Sequence, residues 1–446
     1  MPTFANDWRH RATHTRVWGL AAPMIVSNIS VPLVTLVDSA VIGHLPHAHQ
    51  LGAVAVGGTL YSFLAWAMGF LRMGTTGFAA QAAGRRDGAG LRQVLLQGLL
   101  LAMGFSLLLG LIGLPFLHLA IQMMQPSEDL NTLTQTFFHT RLFGLPAALA
   151  TYALVGWFLG TQNARASLAI LLTTNIVNII LNLWFVLGLD WGVVGSARAS
   201  VAAEWLGALV GLALTQKALR AFPGQVAWAA LKYWRNWRPL LAVNRDIFIR
   251  SLVLQSVFFL ITVQGARLGD ATVAANALLL NGLLLTAHAL DGLAHAVEAL
   301  CGHAIGAGDR EGLRRSLNVA GGWSLICSVA FAVLFLCLGH LFVSMQTDIP
   351  EVRDIAFKYL PYLALLPLVA VWSYLLDGLF IGATRARDMR NTMLINLVLI
   401  APFAWLSIGF GNHGLWLTFL LFMALRALTL GYVAWKLNRS GAWFSG

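Results

Sequence analysis

Long apolar runs, broken at nearly regular intervals by short polar stretches, fill the chain from residue 17 onward. They lie at 17–43, 54–82, 93–120, 133–160, 167–188, 193–216, 247–268, 274–304, 315–342, 355–383, 391–409 and 412–436. Each is long enough for an α-helix, rising ~1.5 Å per residue, to cross a hydrocarbon layer about 30 Å thick. The pattern predicts an all-α integral membrane protein with twelve transmembrane helices.

The polar stretches carry the orientation. Arg9, Arg11 and Arg16 precede the first span, and Arg85, Arg86 and Arg92 surround the turn after the second. Arg165 follows the fourth, and Lys217, Arg220, Lys232, Arg235, Arg238 and Arg245 follow the sixth. Arg310, Arg314 and Arg315, then Arg385, Arg387 and Arg390, then Lys436 and Arg439 complete the series. The intervening loops hold only Arg267, Arg353 and Lys358, beside seven acids that include Glu128, Asp190 and Asp354. Basic residues stay on the cytoplasmic side, so this alternation implies an even number of spans with both termini in the cytoplasm. The N-terminus, MPTFANDWRHRATHTR, lacks a cleavage-site pattern and reads as a cytoplasmic amphipathic lead-in.

The longest and most basic loop divides the chain. An N-lobe of six spans at 1–216, a linker at 217–246 and a C-lobe of six spans at 247–446 follow. After the second span the chain reads QAAGRRDGAGLR, and after the eighth HAIGAGDREGLR; Gly84, Asp87 and Arg92 match Gly306, Asp309 and Arg314. Short Gly/Arg turns can recur by chance, but these recur at the same place in each half. Two related six-helix bundles of one orientation imply a central cavity between them, as in alternating-access carriers.

Composition narrows the function. Of 446 residues 58% are hydrophobic and 11% charged, about half the charged share of a soluble protein. The net charge of +11 falls in the cytoplasmic loops and needs no nucleic acid to explain it. Cys301, Cys327 and Cys337 lie in apolar runs, an odd number without metal-site spacing. There is no nucleophile elbow, zinc-protease motif or P-loop, so the chain does not read as an enzyme, and transport must draw on an ion gradient.

The candidate chemistry is therefore the charge inside the spans, where an acid is costly and marks an ion or substrate path by default. Asp38, Glu204, Asp291, Glu298 and Asp377 are the five intramembrane carboxylates. In the first span Asn28, Thr35 and Asp38 share one face, and Pro23 and Pro32 weaken the same helix. Topology places Asp38 in the outer half, where it can exchange protons with the outside. Asn175, Asn178 and Asn182 form a stripe on the fifth span, with Ser200 on the sixth; together with Asp38 they form a candidate coupling site. The alternative is an asparagine ladder that only holds helices together.

On the eighth span His288, Asp291, His295 and Glu298 occupy one narrow sector over ~15 Å. They suit a proton relay or a cationic substrate, or else a static network with Arg250 on the seventh span. Four ligands on one straight helix cannot converge on a metal ion. Two pairings are expected to be structural: Glu204 with Arg198, and Asp377 with Arg385.

Four segments, PMIVSNISVPLVTLVDSAVIGHL, FLRMGTTGFAAQAAG, NRDIFIRSLVLQ and LDGLFIGATRARDMRN, resemble the MATE (multidrug and toxic compound extrusion) family in its bacterial DinF branch. The resemblance runs over essentially the whole chain. It implies a MATE/MOP-type fold and a cation-coupled antiporter of amphipathic, often cationic, drug-like molecules in the bacterial inner membrane. Asp38 would be the coupling carboxylate, Pro23 the bend point and Asn178 a partner in the N-lobe site; Ser200 stands where many relatives have threonine. Many relatives carry aspartate where this chain has Asn182, so a sodium ion would meet less negative charge here. Protons are the expected coupling ion, with sodium the alternative and no further cofactor. The expected partners are small molecules and the lipid bilayer, and a monomer suffices. A lipid-linked saccharide flippase of the same superfamily is the rival; it would use intramembrane bases such as Arg72, Arg141 and Arg426. An intramembrane transferase or protease would have only the stripe on the eighth span to work with.

Overall fold

The computed structural model describes residues 4–43 and 45–444. A short helix α1 (Phe4–Trp8) leads into α2 (Arg11–Gly43), α3 (Ala48–Ala67), α4 (Phe70–Gly84), α5 (Gly88–Met124), α6 (Glu128–Leu142), α7 (Leu145–Gly160), α8 (Ala164–Asn182) and α9 (Gly192–Ala218). After two 3-10 turns come α10 (Trp234–Arg267), α11 (Asp270–Gly306), α12 (Arg310–Ser344), α13 (Pro350–Gly382), α14 (Ala386–Ser407) and α15 (Gly411–Ser440). Among the described residues ten helical stretches are long and apolar enough to cross a membrane. The number is eleven if α6 and α7, bent by 47° at their junction, form one span. One of the ten, Ala386–Ser440, contains both α14 and α15, which the sequence reads as separate spans.

The segment expected to be a linker is partly helical. α10 begins at Trp234, well before the apolar run at 247; its first turn is tied to the preceding 3-10 turn, Asn236 and Trp237 donating to the carbonyls of Ala230 and Leu231 at 2.8 Å each. The helix α2 runs unbroken through Pro23 and Pro32, although neither proline can donate a backbone hydrogen bond.

By contact the helices form two compact units, Val26–Asn244 and Met1–Ile25 with Arg245–Gly446. The first 25 residues thus pack with the C-terminal helices, whereas the linear division assigns them to the N-lobe. The chain leaves one unit for the other inside α2, two residues after Pro23, and again inside α10.

Within each unit the same devices recur. Asp87 and Asp309 cap α5 and α12, each carboxylate accepting from a backbone N–H three residues on at 2.8 Å. Gly156 and Gly160 on α7 press against α4: a methyl group would meet the Arg72 carbonyl oxygen at 2.3 Å and the Thr76 carbonyl oxygen at 2.7 Å. Gly378 and Gly382 do the same for α13 on α11, against the carbonyls of Ala294 (2.6 Å) and Glu298 (2.4 Å). Close backbone approach through small residues is how helices associate where no water drives them together. The matched caps and matched glycine pairs show the internal repeat in three dimensions.

Candidate functional site

In the unit Val26–Asn244, three helices meet through short polar side chains. Asn182 on α8 donates its amide to the carboxylate of Asp38 on α2. Two helical turns earlier on α8, Asn175 donates to Ser30 of α2 at 2.6 Å. Between them Asn178 turns the other way and donates to Ser200 of α9 at 2.9 Å. The asparagine stripe thus ties α2 and α9 to opposite edges of α8. Ser30 joins this seam without having been singled out in the sequence. Thr35, which shares the Asp38 face, bonds back to Val31 of its own helix instead.

Polar accounting in this seam is incomplete. The amide oxygens of Asn178 and Asn182 are buried and accept no hydrogen bond from the protein, although a buried acceptor normally finds a partner. Asn182 itself is 1% exposed. An asparagine amide presents a donor on one side and an acceptor on the other. The present orientation serves an ionised Asp38; turned over, the same amide would accept from a protonated one. Directly after Asn182 the helix widens into a single π-helical segment, Leu183–Gly188, a form that concentrates at functional sites. Among the described residues no three His, Cys, Asp or Glu side chains cluster so as to hold a metal ion.

The same unit holds a second buried charge group. Glu204 of α9 pairs with Arg141 of α6 at 2.9 Å, and the Arg141 guanidinium stacks 4.0 Å from the ring centre of Tyr61. Tyr61 also reaches Glu204 with its hydroxyl at 3.5 Å. This corrects the expected Glu204–Arg198 pair: Arg198 stacks on Trp191 at 5.1 Å instead. Residues six apart on a helix point to different sides, whereas α6 packs directly on α9. One oxygen of Glu204 and one terminal nitrogen of Arg141 are buried with no hydrogen-bond partner. The residue facing that oxygen is Gly144, where a methyl group would lie 2.0 Å away. Arg141 and Tyr61 were not read as a pair because helix adjacency is invisible in their local sequences.

In the other unit Asp377 of α13 lies between two guanidinium groups, Arg250 of α10 and Arg426 of α15, the latter at 2.9 Å. This corrects the expected pairing with Arg385, which instead bonds Asp388 at 3.4 Å and the Ala442 carbonyl at 2.7 Å. Tyr374 lies within electrostatic reach of Asp291, Asp377, Arg250 and Arg426, so Asp291 belongs to this neighbourhood. Burial varies along the α11 stripe, from half-buried at His288 and Asp291 to buried at His295 and Glu298. His295 and Glu298 are buried where α11 meets α13, while His288 is half-buried and bonds Leu284 of its own helix at 2.6 Å.

Known proteins resemble this chain in sequence and in fold. The MatE family model matches residues 23–184 and 247–406, once in each half. The protein named DNA damage-inducible protein F from Escherichia coli is 44% identical over 436 residues, covering 96% of this chain and 94% of the relative. A probable multidrug resistance protein NorM from Pseudomonas putida is 27% identical, covering 94% of each chain. Among solved structures, an outward-facing multidrug resistance transporter of the MATE family superposes with a TM-score of 0.85 at 18% identity, covering 97% of each chain. A MOP-superfamily transporter from Pyrococcus furiosus gives 0.84 at 18% identity over 97% of this chain and 96% of its own. At that identity the two structures speak for the fold alone.

Proposed function

The chain belongs to the MATE family, in its DinF branch, a family of multi-pass membrane transporters and not of enzymes, and on that premise we propose that it is a proton-driven antiporter. It exports amphipathic, often cationic, organic compounds from the cytoplasm across the inner membrane. Its NorM relative carries the name probable multidrug resistance protein. The finer reading, protons as the driving ion and Asp38 as their carrier, rests on one observation: the Asn182 amide donates to the Asp38 carboxylate inside the bilayer span.

The proposed cycle follows from that bond. Ionised Asp38 holds Asn182 and balances a cationic substrate. A proton arriving from outside neutralises Asp38, turns the Asn182 amide over and removes the charge that held the substrate. The freed outer part of α2 repacks, bending at Pro23, where the backbone ladder already lacks a donor. The boundary between the two compact units at Ile25/Val26 lies close to that proline, which supports a bend there. Proton and substrate then oppose each other through differential affinity for the two arrangements of one helix. Asn182 supports protons over sodium, since Asp38 alone supplies negative charge to the seam.

Reconstitution into proteoliposomes tests the proposal. Asp38→Asn is expected to abolish substrate export driven by an imposed pH gradient while leaving the protein folded. Export by that variant at the native rate would sink the central idea. A sodium gradient at clamped pH should drive no export; if it does, the coupling ion is sodium.

A further inference from the structure

Within the unit formed by Met1–Ile25 and Arg245–Gly446 lies a cavity of about 940 Å³ that the proposed transport cycle does not use. Its long wall is one face of α12, where Arg310, Arg314, Leu317, Gly321 and Leu325 follow one another at helical spacing. From Arg310 to Leu325 that wall extends about 22 Å at ~1.5 Å per residue. A bilayer leaflet has a hydrocarbon depth of about 15 Å. The slot therefore reaches from headgroup level to near the bilayer centre. Its deep end is apolar, bounded by Leu325, Trp372 and Leu376, and Leu325 and Trp372 are exposed.

The mouth is different. It lies at the N-terminus of α12, in a basic loop that the arginine distribution places on the cytoplasmic side. Arg314 is taken up by Asp7 at 3.0 Å, and the carboxylate of Glu311 by Arg315 at 2.5 Å. Arg310 has no carboxylate partner among the described residues; its guanidinium stands 5.5 Å from the ring centre of Phe444. Asn438 adds an amide to the lining, whereas the amide of Asn318, two turns further along α12, is donated to Asp7 at 2.7 Å.

The repeat shows that the opening is not a by-product of the fold. At the matching place in the unit Val26–Asn244, the residue equivalent to Arg310 is Gly88, packed so tightly that a methyl group would meet the Pro223 carbonyl oxygen at 2.1 Å. Arg92, the equivalent of Arg314, donates to the carbonyls of Phe222 at 2.7 Å and Leu219 at 3.2 Å. There the chain fills its own groove. In the C-terminal copy the groove stays open and a cation replaces the glycine at its rim.

We propose that this slot binds an anionic glycerophospholipid of the inner leaflet, its phosphate at Arg310 and the Asn438 amide and one acyl chain along α12. A basic pocket between helices on the cytoplasmic side suits such a headgroup, and the apolar depth suits the chain. A soluble anion would use only the rim. Since Phe4 of α1 also lines the cavity, the bound lipid would touch the segment that leads into α2.

Native mass spectrometry of the detergent-purified full chain tests this with dioleoyl phosphatidylglycerol and phosphatidylcholine in competition. Native protein is expected to retain phosphatidylglycerol with a preference of about fivefold, the factor one basic residue contributes at a membrane surface. Arg310→Gln should bring the ratio close to one while chain binding persists, and Leu317→Trp, which fills the slot, should lose tight binding of both lipids. Unchanged thermal unfolding of Arg310→Gln keeps its result readable if Leu317→Trp folds poorly. Equal retention of the two lipids by native protein overturns the proposal. Displacement of the lipid by inorganic phosphate at equal concentration overturns it as well, since the site would then be an anion site without a chain slot.

Discussion

Asn182 is the residue at which the proposed choice of coupling ion can be tested without touching Asp38. Its amide oxygen is buried and without a protein partner, and its nitrogen serves the carboxylate. Placing a second carboxylate there, Asn182→Asp, concentrates negative charge where a small cation could lose its water only against compensating oxygens. The expected outcome is export that responds to a sodium gradient at clamped pH, measured in proteoliposomes beside native protein. The Arg141–Glu204 pair makes a second point at this scale. Breaking a buried ion pair leaves an uncompensated charge, at a cost of about 3–5 kcal/mol, whereas replacing both partners with apolar groups is often close to neutral. Glu204→Gln should therefore lower the unfolding midpoint well below that of the double variant Arg141→Met/Glu204→Leu. Equal losses would mean that the pair's own attraction, and not the desolvation of an orphan, holds the site.

At the scale of single elements, α2 and α8 carry the proposed function for different reasons. In the proposed cycle α8 is the fixed post: Asn175, Asn178 and Asn182 lie along it, and their amide nitrogens donate to α2 and α9. In that proposed cycle α2 is the part that moves, because a proline inside a helix removes one ladder bond and crowds the carbonyl four residues before it. Pro23→Ala restores the donor and stiffens the helix. Substrate binding to the purified variant, measured by equilibrium titration, is expected to stay near native, while pH-driven export falls at least about tenfold, equivalent to ~1.4 kcal/mol on the barrier. A loss of binding with unchanged turnover would assign the proline to packing. Only part of this was legible beforehand. The spacing of Asp38 and of the asparagines identified the faces. Ser30 leaves no such mark, because its hydroxyl donates to the Ser27 carbonyl of its own helix at 2.6 Å, as helical serines commonly do, and only the packing of α8 brings Asn175 to the same oxygen.

For the whole molecule, the N-terminal segment belongs to the C-terminal half. Asp7 of α1, 2% exposed, is bonded by Arg314 at 3.0 Å and by Asn318 at 2.7 Å. Trp8 lies over Gly322, where a methyl group would fall 2.3 Å from its ring. His14 accepts from the indole of Trp323 at 2.9 Å and donates to the Trp8 carbonyl at 2.5 Å, an arrangement that needs the neutral ring. The inner end of α2 is thereby anchored to α12. Asp7→Ala should lower the unfolding free energy by about 2 kcal/mol, the range of hydrogen bonds to a charged group. It should also weaken pH-driven export by native-sized amounts of protein in the membrane, because the bend at Pro23 needs one end of α2 held.

What the sequence alone determined was everything set by the solvent. Hydrocarbon requires each backbone polar group to be satisfied within its own segment, so apolar length dictates helices, and the basic loops give the orientation expected of them. The repeat, the family and the intramembrane acids followed from the same linear record. Which acid meets which base was decided only by tertiary structure. Glu204 found Arg141 and not Arg198, and Asp377 found Arg250 and Arg426 and not Arg385. A charge in a low-dielectric span is stabilised by whatever group the packing of another helix brings within reach. That packing is set by glycine contacts such as Gly156 on Arg72 and Gly378 on Ala294, over separations that no local pattern records.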